Sequence, residues 1–413
     1  MSFSTALSGL NAASMDLQTT GNNIANANTV GFKKSRTEFA DVYASSFFGS
    51  GKTTPGSGVR VTEVAQMHSQ GNLEYTDNVL DIAISGRGFF SLSETVDSAP
   101  SSFTRNGAFQ LDKEGYIVND QGKYLFGWRA DFSQGAMKVE TTKGEPQATT
   151  DTTLKINLNA ADTEPAVTPF DPTKPETYNR ATSVTVYDSL GNPHTITSYF
   201  VTRNPTTPNQ WDIYQYIDGT APSNALTPPG SPTLLDFNTN GALVSVDGVA
   251  GGTKATYGPY SITGADDLTV TYDFADSTQF NSDFSINAMS QNGYPAGDFN
   301  GLEINDEGIL FARFSNGNAE KIGQIALARF QNEQGLNKLG NTTWGESSTS
   351  GEKLLGAPGE NNLGTVQSGA LESSNVDLSK QLVRLIVAQQ SYQANAQTIS
   401  TEDQVIQTLL NLR

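Results

Sequence analysis

The sequence predicts a multidomain α+β protein, in which discontinuous terminal helices form a coiled-coil domain and nested, mainly β domains lie between them. Three observations lead to this prediction: apolar heptads at both ends of the chain, few charges on those ends, and repeated hairpin turns between them. With 413 residues, the chain is long enough for two or three domains.

Apolar residues recur at heptad positions in each terminal segment, and Ser14 and Gly21 are the gaps in the first stripe. The two stripes, which we call the predicted seam, consist of Phe3, Leu7, Leu10, Leu17 and Ile24 at the start and Leu378, Leu382, Leu385, Tyr392, Ile399, Ile406 and Leu410 at the end. Ala396 falls on the second stripe as well. Because neither stripe has a partner in its own segment, we expect the two ends to pack against each other and to serve polymerisation.

The terminal segments also carry few charged side chains. Residues 1–31 contain one, Asp16, whereas residues 378–413 contain Lys380, Arg384, Glu402, Asp403 and Arg413. A helix that faces water normally has Glu and Lys on its outer positions. We therefore expect these helices to be packed on several sides, which requires many copies of the chain.

The ends of the two helices have recognisable capping signals. Asn and Gly between residues 26 and 31 suit a left-handed cap of the first helix. Lys33, Lys34 and Arg36 follow, and positive charges are favourable near the negative, carboxyl end of a helix dipole. The second helix is expected to begin near Ser374, in a Ser-x-x-Asp capping pattern.

Between the helices the sequence is mostly β, with one turn pattern repeated three times. Residues 109–117, 235–243 and 302–310 share the spacing of an Asp or Asn, then a Gly three positions later, between alternating apolar residues. This spacing predicts three hairpins, each with a type I turn closed by a left-handed Gly.

Pro-rich stretches near residues 165–175 and 222–232 mark an inserted domain within this β region. The predicted organisation is a helical polymerisation domain (residues 1–30 and 371–413), a linker region (31–70), an inner β domain (71–147 and 288–370) and an inserted outer β domain (148–287).

Composition argues against several classes of partner. The net charge of −18 disfavours nucleic acid and anionic membranes, and no apolar run is long enough to span a bilayer. The first 31 residues contain no Lys or Arg, so no cleaved signal peptide is expected and export should use another route.

No catalytic, cofactor-binding or metal-binding residues are predicted. The chain has no Cys, and its two histidines, His68 and His194, are expected on the surface or in turns. Gly51-Lys52-Thr53 lacks the first Gly of a phosphate-binding loop and reads as part of a flexible linker. The segment from Asp236 to Asp247 resembles a calcium loop, although a hairpin turn explains the same residues.

Two segments at opposite ends of the chain resemble the signatures of the rod and hook family of bacterial flagellar axial proteins. The matching residues are Asn22, Asn23, Ile24, Asn26, Gly31, Phe32 and Lys33 at the start and Ser374, Asn375, Val376 and Asp377 at the end. Residues 80–90 and 104–109 resemble hook and distal-rod members alike, whereas the insert, with residues 186–194, is similar to that of hook members.

The resemblance implies a non-enzymatic subunit that polymerises into a flexible, curved tube, a universal joint that links the basal-body rod to the filament and transmits motor torque. It also implies a distal rod protein, a hook cap protein and a hook-filament junction protein as partners, export by the flagellar type III apparatus, and an extracellular location in the hook. A distal-rod protein of the same family and a secreted β-rich adhesin are the alternatives.

Overall fold

The computed structural model describes residues 2–42, 56–139, 144–221 and 232–411. The chain forms two compact units. The first comprises Met1–Thr141, Gly301–Arg313 and Ala319–Arg413, and the second comprises Thr142–Asn300 and Phe314–Asn318. The terminal helices and the β elements next to them in sequence therefore belong to one unit.

The elements before the second unit are α1 (Ser2–Ala25), β1 (Ser35–Asp41), β2 (Val59–Gln66), β3 (Leu73–Tyr75), β4 (Ile82–Ser85), β5 (Phe89–Ser93), β6 (Ser102–Thr104), β7 (Gln110–Leu111), β8 (Ile117–Val118), β9 (Tyr124–Arg129) and β10 (Gln134–Ala136). The second unit contains β11 (Asp151–Asn159), β12 (Arg180–Tyr187), β13 (Pro193–Thr202), β14 (Gln210–Ile217), β15 (Thr233–Phe237), β16 (Leu243–Val246), β17 (Val249–Ala250), β18 (Lys254–Tyr260), β19 (Leu268–Asp273), β20 (Thr278–Phe280) and β21 (Ser285–Gln291). The chain ends with β22 (Phe299–Ile304), β23 (Ile309–Phe314), β24 (Ala319–Ile325), β25 (Leu327–Arg329), β26 (Asn337–Gly340), β27 (Thr343–Gly345), β28 (Leu354–Gly356), β29 (Thr365–Ser368), β30 (Ala370–Glu372) and α2 (Leu378–Asn411).

Strands from both ends of the chain pair within the first unit. A 13-stranded sheet has the main order β22-β23-β24-β9-β5-β6-β27-β26, and β3 pairs with β30 and β4 with β29 in two small sheets. Its aromatic core includes Phe103 and Phe330, whose ring centroids are 4.8 Å apart at 78°. Because β29 and β30 lead directly into α2, these pairings fix the start of the second helix on the same body as the first.

The second unit contains two sheets that share one apolar core. Six strands follow one another as β12-β13-β14-β15-β16-β17, and the other sheet has the order β18-β19-β11-β20, with β21 also paired to β11. Buried side chains alternate along β13 and β14, as expected where one face of a sheet is covered. Trp211, Phe200 and Tyr272, from both sheets, lie fully inside the core.

The three predicted hairpin turns are confirmed. Gly115, Gly241 and Gly308 have φ of +87°, +78° and +69°, and each donates its N–H to the carbonyl of the Asp or Asn three positions earlier. The Asn238 side chain accepts hydrogen bonds from the N–H groups of Asn240 and Ala242, both at 2.9 Å. The turn therefore accounts for the polar residues of the calcium-like segment.

Residues 31–70, predicted to be a linker region, contain the antiparallel hairpin of β1 and β2, and α1 packs against it. The Asn23 side chain bonds to both the N–H and the C=O of Ser35 at 2.8 Å. The sequence has no clear strand signal here, because the spacing changes from two residues between Val59 and Val61 to three between Val61 and Val64, where the pairing has a register shift. Gly51-Lys52-Thr53 lies outside the described residues.

Two expectations about individual residues were wrong in detail. The second helix begins at Leu378, and Asp377, not Ser374, is its cap, because the Asp377 carboxylate accepts the Lys380 N–H at 3.1 Å. Neither histidine lies in an exposed turn: His68 is packed edge-on against Phe89 and Trp344, and His194 lies in β13.

Candidate functional site

The terminal helices α1 and α2 pack against each other as an antiparallel pair. Three contacts along the pair set its register. Gly9 lies against Asn395, whose Oδ1 would be 2.6 Å from a Cβ added at Gly9, and Asn23 Nδ2 donates to Gln381 Oε1 at 3.2 Å. Between them, Arg384 forms a bidentate ion pair with Asp16. The prediction that the two ends pack against each other is confirmed.

Small and polar residues form the contacts that set this register. Ala6, Gly9, Ala13, Asp16, Thr20 and Asn23 follow a spacing of three and four residues along α1. Four of them (Ala6, Ala13, Thr20 and Asn23) are buried. Short side chains let the two helices approach closely, and leucines at these positions would hold them apart.

Seven of the twelve predicted-seam residues are not buried between the two helices of one chain. Phe3, Leu7, Leu378, Leu382, Tyr392, Ile406 and Leu410 are exposed. Leu10, Leu17, Ile24, Leu385 and Ile399 are half-buried. Within one chain, these seven exposed seam residues are thus available to contact something else.

The beginning of α2 exposes more apolar residues than the predicted seam includes. Val383, Ile386 and Val387 are 63%, 52% and 55% exposed and adjoin Leu378 and Leu382. We call these five residues the α2 apolar patch. The heptad count missed three of them because apolar residues fill every position from 382 to 388 except Arg384, so no single stripe stands out. Such a run is the sequence signal of a helix that is covered on all sides.

The two family-like signatures meet in a buried ion network. The Lys33 ammonium contacts the Glu372 carboxylate, and Arg105 Nη1 lies 3.0 Å from the other Glu372 oxygen. The three side chains are 1%, 0% and 4% exposed for Lys33, Glu372 and Arg105. Burial lowers the pKa of Lys33, and Glu372 offsets part of this effect. Lys33 therefore does not serve the helix dipole, contrary to the sequence expectation.

Other signature residues complete this joint between the helix pair and the strands. Asn375 Oδ1 accepts the Lys34 N–H at 2.8 Å, and Asn375 Nδ2 donates to the Met67 and Ser69 carbonyls at 2.8 and 2.9 Å. The Gly31 N–H donates to the Glu372 backbone carbonyl at 2.7 Å, and the backbone N–H of Asn375 donates to the Phe32 carbonyl.

The remaining signature residues close the helix ends. Asn26 Nδ2 donates to the Asn22 carbonyl at 3.0 Å. Ser374 Oγ accepts the Val376 N–H at 3.4 Å, and Ile24 and Val376 are half-buried. We call the set formed by Lys33, Arg105, Glu372, Asn23 and Asn375 the signature joint. Its role in the structure is to fix the helix pair to the strands of the first unit.

Within the described parts of the chain, no group of three or more His, Asp or Glu side chains is placed to hold a metal ion. Over the same residues, no helix is both long and apolar enough to cross a membrane.

Four segments of the chain match flagellar protein families. Residues 3–33 match the flagella basal body rod protein family, residues 83–163 the flagellar hook protein FlgE/F/G D1 domain, residues 157–294 the flagellar basal body protein FlaE D2 domain, and residues 367–412 the C-terminal domain of the flagellar basal body rod FlgEFG proteins. The flagellar hook protein FlgE of Escherichia coli strain K12 is 43% identical over 424 residues, which cover 100% of both chains. This chain belongs to the flagellar hook protein family.

More distant relatives also align along their whole length. The hook protein FlgE of Borreliella burgdorferi is 33% identical, with 98% of both chains covered. The crystal structure of the Helicobacter pylori hook protein FlgE2 has the same fold, with a TM-score of 0.54, 16% identity, and coverage of 73% of this chain and 100% of that one. The chain is thus a structural subunit of the flagellar hook, and the distal-rod and adhesin alternatives are not favoured.

Proposed function

We propose that this hook protein polymerises into a flexible, curved tube that links the basal-body rod to the filament and transmits motor torque, and that it catalyses no reaction. The α2 apolar patch carries this proposal. Soluble proteins that act as monomers rarely expose several large apolar side chains next to one another, and such a patch normally marks a contact with another protein. Further copies of the same chain would cover it.

The position of the patch favours helical assembly. The side of α2 that contacts α1 is already occupied, so the patch and the predicted seam are the faces left for other copies. When a patch on one copy contacts a different surface on the next, the assembly forms a helical polymer unless the rotation between copies closes it into a ring. The helix pair would line the inner wall of the tube.

The domain organisation follows from the same proposal. Residues 1–30 and 371–413 would be the polymerisation domain, residues 71–147 and 288–370 the inner β domain, and residues 148–287 the outer β domain. A distal rod protein, a hook cap protein and a hook-filament junction protein would bind at the two ends of the tube. The flagellar type III apparatus would export the chain to the extracellular hook without cleaving a signal peptide.

Charge substitutions on α2 test the proposal. Ile386→Asp in the patch and Leu382→Asp, which belongs to both the patch and the predicted seam, should each prevent tube formation seen by electron microscopy. A carboxylate buried without a partner costs several kcal/mol, whereas in the monomer both positions are exposed. Helix content by circular dichroism should stay unchanged.

Thr398→Asp is the matched control, because Thr398 is an exposed polar residue on the same helix, more than two turns beyond the patch. Tubes from Thr398→Asp but not from the two other variants would support assembly through the patch. Normal tubes from Ile386→Asp and Leu382→Asp would contradict it.

A further inference from the structure

A pocket in the first unit is rich in positive charge, although the chain has a net charge of −18. The pocket has a volume of about 550 Å³, and Arg87, Arg105, Arg329 and His68 are among the residues that line it. Glu333 is the one acidic residue among the described residues of its wall. Because Arg105 is paired with the buried Glu372 carboxylate, an anionic group would find the guanidinium groups of Arg87 and Arg329 against the Glu333 carboxylate there.

Two groups in the pocket wall, Arg105 and His68, have buried nitrogens without a hydrogen-bond partner. Arg105 is 4% exposed and its Nε has no hydrogen-bond partner, although its other nitrogens contact Glu372 and the Gly86 carbonyl. Both ring nitrogens of His68 are shielded from solvent and make no well-formed hydrogen bond. Buried donors without acceptors are costly, so a ligand that supplies acceptors here would gain from satisfying them.

The two outer arginines are available to a ligand. Arg87 lies on the exposed turn between β4 and β5 and forms no ion pair within the described residues. Arg329 Nη1 donates to the Asn361 carbonyl at 3.2 Å, a neutral acceptor that leaves its charge uncompensated. Guanidinium groups bind carboxylates through paired hydrogen bonds, so these two positions suit an acidic side chain.

We propose that this pocket receives the carboxylates of an exposed acidic turn from a second copy of the chain. The inference rests on the proposed function, because it assumes that copies assemble. A head-to-tail contact needs two different and complementary surfaces on each copy. Exposed acidic turns, such as the one with Asp266 and Asp267, provide one of these surfaces. The cationic pocket provides the other.

Nuclear magnetic resonance of the monomer tests the pocket directly. The chain has two histidines, so a histidine-labelled sample gives one imidazole signal from the pocket and one from His194, which lies in the second unit beside Asp188 and Asp218. The capped peptide Thr-Gly-Ala-Asp-Asp, which corresponds to residues 263–267, should shift the His68 signal in a saturable way. The His194 signal should not move.

Three controls make the result specific. The same peptide with both Asp replaced by Asn should leave the His68 signal unchanged. Arg87→Glu should weaken peptide binding about tenfold or more, the loss expected when a charge-assisted hydrogen bond is removed. Lys113→Glu makes the same change in net charge at a fully exposed site outside the pocket, and it should bind the peptide normally.

A shift with inorganic phosphate but not with the acidic peptide would overturn the proposal in favour of a small-anion site, and no shift with either would overturn it entirely. In assembly, Arg87→Glu should slow tube growth while Lys113→Glu should not. Normal tube growth by the Arg87→Glu variant would overturn the pocket proposal but not the proposal that the chain forms tubes. If the unmodified chain made no tubes, the proposed function would fail, and the peptide experiment would still decide the pocket.

Discussion

Arg384 and Asp16, from opposite ends of the chain, form a bidentate ion pair between the terminal helices. Arg384 Nη2 lies 2.8 Å and Arg384 Nε 3.2 Å from Asp16 Oδ1. Asp16 is the one charged residue in positions 1–31. Its carboxylate is largely shielded, so the pair is screened less than a surface ion pair and can set the alignment of the two helices.

We predict that Asp16→Ala and Arg384→Ala each loosen the helix pair, with a coupling energy of about 1–2 kcal/mol in a double-mutant cycle. Hydrogen exchange of the helix amides measures the effect. The exchanged pair Asp16→Arg with Arg384→Asp should recover part of the protection. Additive single-variant effects would show that the two charges do not stabilise the pair together.

Gly9 and Gly21 offer a matched test of close helix approach. Both lie in α1, but a Cβ at Gly9 would be 2.6 Å from Asn395 Oδ1, whereas nothing lies within 4 Å at Gly21. Gly21→Ala should stabilise the helix by about 0.5–1 kcal/mol, because Ala is the better helix former. Gly9→Ala should stabilise the protein less than Gly21→Ala does, and Gly9→Leu should separate the helices. Equal gains in thermal stability for both Ala variants would rule out a close contact at Gly9.

The signature joint should be the most sensitive part of the first unit. Glu372→Gln leaves Lys33 and Arg105 buried without a carboxylate, and removal of one partner from a buried ion pair typically costs about 3–5 kcal/mol. Denaturant unfolding measures this loss. Glu38→Gln, in an exposed pair with Arg36, is the control and should change stability by less than about 0.5 kcal/mol. A small effect of Glu372→Gln would contradict a structural role for the joint.

The sequence predicted the parts of this fold that repeat or that have local signals. The heptads placed both helices, and Asp112, Asn238 and Asn305 marked the hairpin turns because their side chains bond to the backbone within a few residues. Glu372 could not be assigned, because its partner Lys33 is 339 positions away and nothing local distinguishes a buried Glu from an exposed one. The face that joins the helices was missed because small polar residues give no apolar signal.

His68 should make the first unit less stable in acid. Burial is the main cause that lowers the pKa of His68 from 6.5 to about 4, and the Lys33 and Arg105 charges add to it. Between these values the unfolded chain binds a proton and the folded chain does not, so stability should fall as the pH drops from 6.5 to 4 and then level off. The loss attributable to this ring should be up to about 3 kcal/mol.

His68→Phe, which keeps an aromatic ring against Phe89 and Trp344, should remove this part of the pH dependence. The pH dependence of stability that His194 contributes should have the opposite sign. Burial favours a lower pKa for His194, but Asp218 and Asp188 outweigh it and raise the pKa. The stability that His194 contributes should be fully present below pH 6.5 and lost as the pH rises through its raised pKa. Identical pH profiles for His68→Phe and the unmodified protein would contradict the assignment.

Deletion of residues 148–287 should leave a protein that still forms tubes. The core of the second unit is built from residues between Leu154 and Phe274, so its strands do not need the rest of the chain to bury their apolar side chains. The α2 apolar patch and the predicted seam lie outside the deleted segment. With a short Gly-Ser join, electron microscopy should show tubes that are straighter or mechanically altered. As a control, Trp211→Ala should unfold or strongly destabilise the second unit, by about 3–5 kcal/mol, in the full chain. If the deleted protein stayed folded and exported but made no tubes, the inserted segment itself would be required for assembly.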